Sequence, residues 1–212
     1  MLVSPSLLSA DFSRLGEECK RMEASGTDWL HLDVIDGVFA PNITFGVPIV
    51  KSLRSQTDLV FDLHLMIKNP LQYIEAFAKA GADFITFHAE SDSDIGETID
   101  KIHSFGLKAG VALKPGTGLE AVEPFLDKLE MVLIMTVEPG FSGQKFMADM
   151  MPKLAALKEK CAGKDILIQV DGGISKDNIA LVAANGATVA VGGNSIFGAE
   201  DAKEVIDYFH RY

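Results

Sequence analysis

Several histidines and aspartates stand inside apolar runs of the sequence, where an ionisable side chain is costly to bury unless it is paired or binds a cation. The segment HLDVIDG contains His31 and Asp33, two residues apart, and the segment DLHLM contains His64. The stretch IQVDGG adds Asp171 directly before two glycines. Two imidazoles and two carboxylates, if brought together, would suit a divalent transition metal such as zinc, iron or manganese.

Short β-branched or apolar runs recur along the chain, and most are followed by a polar stretch with helical periodicity. The apolar runs predict strands at residues 2–6, 29–33, 59–65, 84–88, 108–113, 131–135, 166–171 and 188–192. Helical patterns are clear at residues 12–25, 70–81, 93–106 and 151–163. Strands that alternate with helices indicate a parallel sheet, because parallel neighbours need crossover connections.

The connection from helix to strand is repeated in nearly the same letters, ASGTDW, KAGADF and ANGATV. This repetition indicates one βα unit used many times. Such units can form a doubly wound open sheet or a closed barrel. Eight near-even units without a linker or a shift in composition favour the barrel. We therefore predict an α/β fold, a single-domain (β/α)8 TIM barrel over residues 1–212.

In such a barrel, active sites lie at the carboxyl ends of the strands. His31 and Asp33 point to one side near the end of strand 2, His64 lies near the end of strand 3, and Asp171 ends strand 7. Strands 2 and 7 are three steps apart around the ring, so Asp33 and Asp171 should face each other. Two opposed carboxylates and a metal suit inversion at a carbon next to a carbonyl, through a metal-stabilised enediolate.

The remaining buried histidine of the strand ends, His88, has a simpler interpretation. A lone buried histidine is usually a satisfied core residue. His88, Asp36 and Glu90 are equally suited to hydrogen bonding to the metal ligands and to ordinary structural hydrogen bonding.

Glycine-rich segments follow three neighbouring strands: VEPGFSGQKF after strand 6, VDGGI at strand 7 and VGGNSIF after strand 8. Any one of them could be an ordinary tight turn. Together they predict a phosphate site, since backbone N–H groups bind anions without a lysine. The candidate residues are Gly140, Phe141, Ser142, Gly143, Gly172, Gly173, Gly193 and Asn194.

The formal net charge of −11 argues against nucleic acid and anionic membranes as partners. The N-terminal segment lacks the features of a signal peptide, and no apolar run is long enough for a membrane span. Cys19 and Cys161 lack metal-site spacing, so we expect surface or half-buried thiols in a reducing cytoplasm.

The ordered motifs SPSLLSADF, HLDVIDGVFAPNITFG, DLHLMIKNP, GADFITFHAE, KPGT, MTVEPGFSGQKFM, IQVDGGI and VGGNSIF cover nearly the whole chain. In this respect the chain resembles the ribulose-phosphate 3-epimerases of the ribulose-phosphate-binding barrels. The resemblance implies an isomerase of the pentose phosphate pathway that interconverts D-ribulose 5-phosphate and D-xylulose 5-phosphate. It also implies a homo-oligomer, from dimer to hexamer.

The resemblance also implies roles for individual residues. One divalent metal (zinc, iron, manganese or cobalt) would be held by His31, Asp33, His64 and Asp171, with the two aspartates as acid and base. Ser6 and His64 would contact the sugar-phosphate substrate. Met66 and Met135 would wall the site and keep it dry, and the glycine-rich segments would hold the phosphate.

The chain departs from the family pattern at three positions. Ile35 replaces a common methionine, Ser142 replaces a glycine of PGFGGQ, and Asn194 stands where serine is frequent. The first two changes leave D-allulose 6-phosphate 3-epimerase as an alternative with the same mechanism. A metal-free barrel lyase would need a lysine–aspartate cluster at strand ends, which the sequence lacks. A non-catalytic binding module would leave the opposed aspartates unexplained.

Overall fold

The structure is a computed structural model that describes residues 1–212. Its strands are β1 (Leu2–Pro5), β2 (Trp29–Ile35), β3 (Val60–Met66), β4 (Phe84–His88), β5 (Lys108–Leu113), β6 (Met131–Met135), β7 (Leu167–Asp171) and β8 (Val189–Gly192). Its α-helices are α1 (Leu15–Ala24), α2 (Val47–Arg54), α3 (Ile74–Ala80), α4 (Ile95–Ser104), α5 (Met151–Lys160), α6 (Ile179–Ala184), α7 (Asn194–Phe197) and α8 (Ala202–Phe209). All eight predicted strands are present, each within two residues of its predicted ends.

The strands form one parallel sheet in the order β1-β8-β7-β6-β5-β4-β3-β2. The ring closes between β1 and β2 through a parallel bridge from Ser6 to His31 at one end. At the other end, the backbone N–H of Val3 donates to the Asp28 carboxylate over 2.7 Å. The prediction of a single-domain (β/α)8 TIM barrel is therefore confirmed, and the seam of the barrel lies beside the candidate site.

The regular alternation of strand and α-helix fails once, between β5 and β6. This connection contains two 3-10 helices, Leu119–Ala121 and Glu123–Lys128, and no α-helix. Pro124 stands in the first turn of the second segment, where its missing N–H is tolerated. Short 3-10 segments also precede α1 and α3, so the predicted helices over 12–25 and 70–81 begin later as α-helix than the sequence pattern indicates.

The barrel interior is layered, because alternate residues of each strand point inward. At the amino end, an apolar layer contains Trp29, Phe84, Met131 and Val189. Above it lies a polar layer that the sequence analysis did not identify. There the Asp62 carboxylate accepts hydrogen bonds from Gln169 Nε2 (2.6 Å) and Ser4 Oγ (3.2 Å). This polar layer supports the ionisable residues at the carboxyl end.

The helices pack on the outside of the sheet and complete a core of 47 buried apolar residues. Cys19 on α1 and Cys161 just after α5 face this core, and both are buried. The expectation of surface or half-buried thiols was therefore wrong, because the apolar faces of α1 and α5 include these positions. The longest α-helices have ten residues, and none of the helices has the length and apolar character required to cross a bilayer.

Candidate active site

Three strands bring four metal-binding side chains together at the carboxyl end of the barrel. His31 and Asp33 come from β2, His64 from β3 and Asp171 from β7, and one ligand atom of each lies within 4.8 Å of the others. Asp33 and His64 are directly paired in the parallel register. We call these four residues the donor cluster.

The distances inside the donor cluster fit a single divalent cation. His64 Nδ1 lies 3.0 Å from Asp33 Oδ1 and 3.8 Å from Asp171 Oδ2. His31 Nε2 lies 3.3 Å from both His64 Nδ1 and Asp33 Oδ1. Metal–ligand bonds of about 2.1 Å place neighbouring donors about 3.0–3.4 Å apart. The four donors therefore need little rearrangement to enclose an ion.

The electrostatics of the donor cluster also fit a cation. Burial opposes a charge on His31, but the carboxylates of Asp33 and Asp62 outweigh it and raise the pKa of His31 well above its usual range. His31 Nδ1 lies 2.7 Å from Asp62 Oδ2, so a proton on Nδ1 leaves Nε2 as the nitrogen that faces the cluster. The site thus favours positive charge among its carboxylates, which is what a divalent ion would supply.

The two aspartates of the donor cluster have different environments. Asp33 is held by a hydrogen bond from Ser6 Oγ to its Oδ2 (2.5 Å) and by the contact of His64 with its Oδ1. Burial alone would raise the pKa of Asp33, but the charges and hydrogen bonds of His31 and His64 hold it well below the usual range. The Asp171 carboxylate accepts no hydrogen bond, and burial together with the Asp33 charge raises its pKa to about 6.

A third imidazole lies beside the donor cluster. His88, at the end of β4, is fully buried, and its Nε2 lies 2.9 Å from Nε2 of His64. Its Nδ1 lies 3.0 Å from Glu90 Oε2. Burial lowers the pKa of His88 to about 4. The Asp36 carboxylate contacts no ligand, because it accepts hydrogen bonds from the backbone N–H groups of Val38, Phe39 and Lys68.

A cavity of about 250 Å³ opens above the donor cluster and reaches Asp33 and Asp171. It is lined by all but one of the residues expected to contact substrate, namely Ser6, Met66, Met135, Gly140, Phe141, Ser142, Gly143, Gly172, Gly173, Gly193 and Asn194. The exception, His64, is fully buried beside Asp33 and does not line the cavity. Contact of His64 with substrate stays a prediction.

The side chains that surround Met66 and Met135 inside the barrel are apolar. Met66 packs with Ile35 and Ala40, whereas Met135 packs with Ala112, Leu133 and Val137. Ile35 does not line the cavity, so the replacement of methionine at this position acts on the site through Met66.

The glycine-rich segments form one side of the cavity; we call residues 140–143, 172–173 and 193–194 the glycine-rich rim. The backbone N–H groups of Ser142, Gly143, Gly172, Gly173 and Gly193 donate to no other protein atom. No lysine or arginine lines the cavity. An anion bound here would therefore be held by backbone amides and neutral side chains.

Only some positions of the glycine-rich rim require glycine. Gly172 and Gly173 have φ values of 127° and 65°, and a Cβ on Gly173 would lie 2.7 Å from the backbone N of Phe146. Ser142 does not have a positive φ, because no residue other than glycine does. Serine at 142 is therefore compatible with the turn.

Side chains from three loops join across the glycine-rich rim. Ser9 Oγ lies 2.6 Å from Ser142 Oγ, which donates to Asn194 Oδ1 over 2.8 Å. Two of these residues, Ser142 and Asn194, are departures from the family pattern, and the contact between them links the loops after β6 and β8. Separately, Asn42 Nδ2 donates to the carbonyl oxygen of Gly140 over 2.7 Å.

The sequence analysis did not identify the buried polar residues below the donor cluster that hydrogen-bond to His31 or to Asp62. Asp62 shares a face of β3 with His64, and this period-two spacing was the one signal that could have identified it. Ser4 and Gln169 carry the same weak signal, because they stand two residues before Ser6 and Asp171. Ser9 carries none, since its partners are more than a hundred residues away.

The fold and the site together define a (β/α)8-barrel protein with a candidate divalent-metal centre and glycine-rich loops at the carboxyl ends of its strands. The chain belongs to the Ribulose-phosphate 3 epimerase family, whose model matches residues 2–197. This family assignment confirms the resemblance and the expectation of an isomerase.

Relatives of the chain match it over nearly its full length. Ribulose-phosphate 3-epimerase of Bacillus subtilis (strain 168) is 48% identical over 96% of this chain and 95% of its own. The chloroplastic ribulose-5-phosphate-3-epimerase of Arabidopsis thaliana is 48% identical over 97% of this chain and 75% of its own. Among solved structures, 3-hexulose-6-phosphate synthase from Salmonella typhimurium superposes with a TM-score of 0.73 at 18% identity, covering 100% of this chain and 97% of that one. That likeness supports the fold alone.

Proposed function

We propose that this chain is a metal-dependent epimerase that inverts C3 of D-ribulose 5-phosphate to give D-xylulose 5-phosphate. Residues 1–212 act as one catalytic domain in this proposal. The family and its relatives support the reaction, and the donor cluster supports the metal dependence. The cytoplasmic location, the place in the pentose phosphate pathway and the homo-oligomer stay predictions.

The observation that carries the proposal is the pair of aspartates at the floor of the cavity. Inversion at one carbon requires a base on one face of the substrate and an acid on the other. Asp33 and Asp171 come from strands three steps apart around the ring, and both line the cavity. Their pKa values are shifted in opposite directions, and such a split is typical of an acid and a base that work together.

The proton transfers follow from these two environments. In one direction, the ionised Asp33 takes the proton from C3, and Asp171 returns a proton to the opposite face. In the reverse direction the two residues exchange roles. Ser6 holds Asp33 Oδ2 and thereby directs Oδ1 towards the donor cluster. The Asp171 carboxylate accepts no hydrogen bond from the protein, so no protein donor holds it away from the substrate.

The donor cluster fits a divalent metal by its distances and charge, and His31, Asp33, His64 and Asp171 would hold it. When bound, the metal supplies Lewis-acid stabilisation of the negative charge that develops on the enediolate oxygens. Met66 and Met135 wall the same space and limit access of water to the carbanion-like centre, which would otherwise exchange protons with solvent.

The glycine-rich rim would hold the phosphate group. Its free backbone N–H groups offer donors to a dianion, and Asp33 and Asp171 lie at the other end of the same cavity. This arrangement fits a substrate with a phosphate at one end and the reacting carbon several bonds away. It also lets a protein of net charge −11 bind an anion.

The reaction can be tested by incubating the purified protein with D-ribulose 5-phosphate and, separately, with D-allulose 6-phosphate. We expect kcat/KM for the pentulose phosphate to exceed that for the hexulose phosphate by at least an order of magnitude. A clear preference for the hexulose phosphate would support the alternative substrate instead. Absence of epimer from both substrates, with metal added, would contradict the proposal.

A further inference from the structure

His88 and Glu90 lie outside the donor cluster. In the proposed reaction they neither transfer a proton to or from the substrate nor bind the metal. They form a row of contacts that ends on His64. His88 Nε2 lies 2.9 Å from His64 Nε2, and His88 Nδ1 lies 3.0 Å from Glu90 Oε2. The other oxygen of Glu90 accepts the backbone N–H of Lys114 over 2.8 Å. Both imidazoles are fully buried, so water does not compete for these contacts.

The ring nitrogens that carry a proton in this row of contacts follow from the chemistry of His64. Its Nδ1 faces Asp33 Oδ1 and His31 Nε2, so Nδ1 is the nitrogen that would bind a metal. A nitrogen that binds a metal carries no proton, so the proton of a neutral His64 is on Nε2. That N–H can donate only if His88 Nε2 is unprotonated. His88 then carries its proton on Nδ1, where it donates to Glu90.

Any other placement of the protons on neutral His64 and His88 leaves a buried polar group in this row without a hydrogen-bond partner. A proton on both facing nitrogens would place two N–H groups 2.9 Å apart, and a proton on neither would leave two lone pairs facing each other. Either defect costs the free energy of an unsatisfied buried polar group. The carboxylate of Glu90 selects the favourable arrangement, because an ionised carboxylate accepts hydrogen bonds and donates none.

We propose that His88 and Glu90 are positioning residues, which fix His64 in the tautomer and ring orientation that present Nδ1 to the metal. This inference rests on the proposed metal site. It makes the two histidine ligands unequal: His31 is oriented directly by the Asp62 carboxylate, whereas His64 is oriented by a carboxylate acting through a second imidazole.

A second histidine–glutamate pair in the molecule provides a matched control. His103 Nε2 lies 3.1 Å from Glu130 Oε2, and Glu130 also accepts the backbone N–H of Ala109 over 2.7 Å. This pair has the same chemistry as His88 and Glu90. It lies at the outer surface, with His103 34% exposed, and it contacts no third imidazole.

The test measures Co²⁺ binding by the full chain, with and without substitutions, using a competing chelator and the visible absorption spectrum of bound Co²⁺. His88→Leu removes the acceptor, so we expect Co²⁺ affinity to fall about 10–100-fold, with an altered spectrum. His88→Gln should restore most of the affinity, because the glutamine amide oxygen reaches the position of Nε2 and accepts from His64. His103→Gln should bind Co²⁺ like the parent.

Glu90→Gln provides a second, milder variant if His88→Leu fails to fold. A glutamine has one amide oxygen, so it cannot accept from both His88 and Lys114. We expect Co²⁺ affinity to fall by a smaller factor, about 3–10-fold, on the scale of a lost partner of a metal ligand. Thermal unfolding without metal separates this effect from a loss of stability.

Two results would overturn the inference, and they can be told apart. Parent-like Co²⁺ affinity and spectrum in folded His88→Leu and Glu90→Gln would refute the positioning role alone. If Asp33→Asn binds Co²⁺ as tightly as the parent, the ion is not held by the donor cluster, and the proposed metal site fails together with the inference.

Discussion

The donor cluster and the glycine-rich rim lie at the same end of the barrel, but they are built from opposite kinds of residue. The donor cluster consists of ionisable side chains on rigid strands, nearly all of them buried. The rim consists of backbone amides and neutral, mostly small side chains on loops, and no lysine or arginine lines the cavity. The contrast suggests a division of labour, in which the cluster carries the chemistry and the rim carries binding. Changes to the cluster should therefore alter kcat, and changes to the rim should alter KM.

The largest effect is expected from Asp33→Asn or Asp171→Asn, which break the donor cluster and leave the rim intact. Each substitution is nearly isosteric but removes a group that gains and loses a proton. We expect kcat to fall about 10²–10⁴-fold with KM changed much less, as steady-state kinetics with D-ribulose 5-phosphate would show. Asp58→Asn, on an exposed surface, is the matched control. Parent-like kcat in either cluster variant would refute the two-acid scheme.

The pH dependence of metal binding sharpens the comparison, because the donor cluster contains titratable side chains and the glycine-rich rim contains none. The raised pKa of Asp171, about 6, means that its carboxyl group takes up a proton as the pH falls through this value. A proton competes with a metal for the same oxygen, so apparent Zn²⁺ affinity should fall at low pH. From Asp171 alone we expect about a tenfold loss at pH 5 relative to pH values well above 6.

Zn²⁺ titrations at several pH values would measure this loss, and Asp171→Asn should lack the step that Asp171 contributes. Asp171→Asn should leave the pH dependence of phosphate binding at the glycine-rich rim unchanged, because that dependence comes from the phosphate group itself. If the parent and Asp171→Asn lose Zn²⁺ affinity equally between pH 7 and pH 5, the pKa assigned to Asp171 is wrong.

Gly173→Ala should break the rim and leave the cluster intact. The added Cβ would lie 2.7 Å from the backbone N of Phe146, at a φ of 65°. The loop after β6 must then shift, which moves the backbone donors. We expect KM to rise about tenfold, a loss of about 1.4 kcal/mol in binding, with a smaller change in kcat.

Gly163→Ala is the control for Gly173→Ala. Gly163 has a φ of 79°, but an added Cβ would meet nothing within 4 Å. It therefore carries similar backbone strain without a clash and away from the rim. Equal changes in KM for the two variants would show that strain, and not the rim, determines binding.

The smallest effect is expected from Ser142→Gly, which removes the hydroxyl between Ser9 and Asn194. The backbone donor at residue 142 remains, but the loops after β6 and β8 lose their side-chain contact. Both contacts are exposed to water, so each contributes about 0.5 kcal/mol, and their joint loss of about 1 kcal/mol corresponds to about a fivefold rise in KM. Ser9→Ala should cause a similar or smaller rise, and the double variant should be less than additive if the three residues act as a unit.

The sequence predicts the four residues of the donor cluster better than it predicts the side-chain contacts around the site, and the reason is geometric. His31, Asp33, His64 and Asp171 stand at strand ends in apolar runs, so the choice of a barrel is enough to bring them together. The contact of His88 with His64 depends on side-chain rotamers, and that of Ser142 with Asn194 depends on loop conformation. Neither has a period in the sequence. The sequence likewise shows no clear helical pattern in the β5–β6 connection, because its 3-10 segments are too short to carry a helical period.

The most direct test of the account is proton exchange at C3 of D-ribulose 5-phosphate in deuterium oxide, followed by ¹H NMR with metal-loaded protein. We expect the xylulose 5-phosphate formed to carry solvent deuterium at C3, and we expect neither Asp33→Asn nor Asp171→Asn to form this deuterated epimer at the parent rate. Epimerisation that retains the original C3 hydrogen, or undiminished formation of the deuterated epimer by both variants, would contradict the two-aspartate scheme.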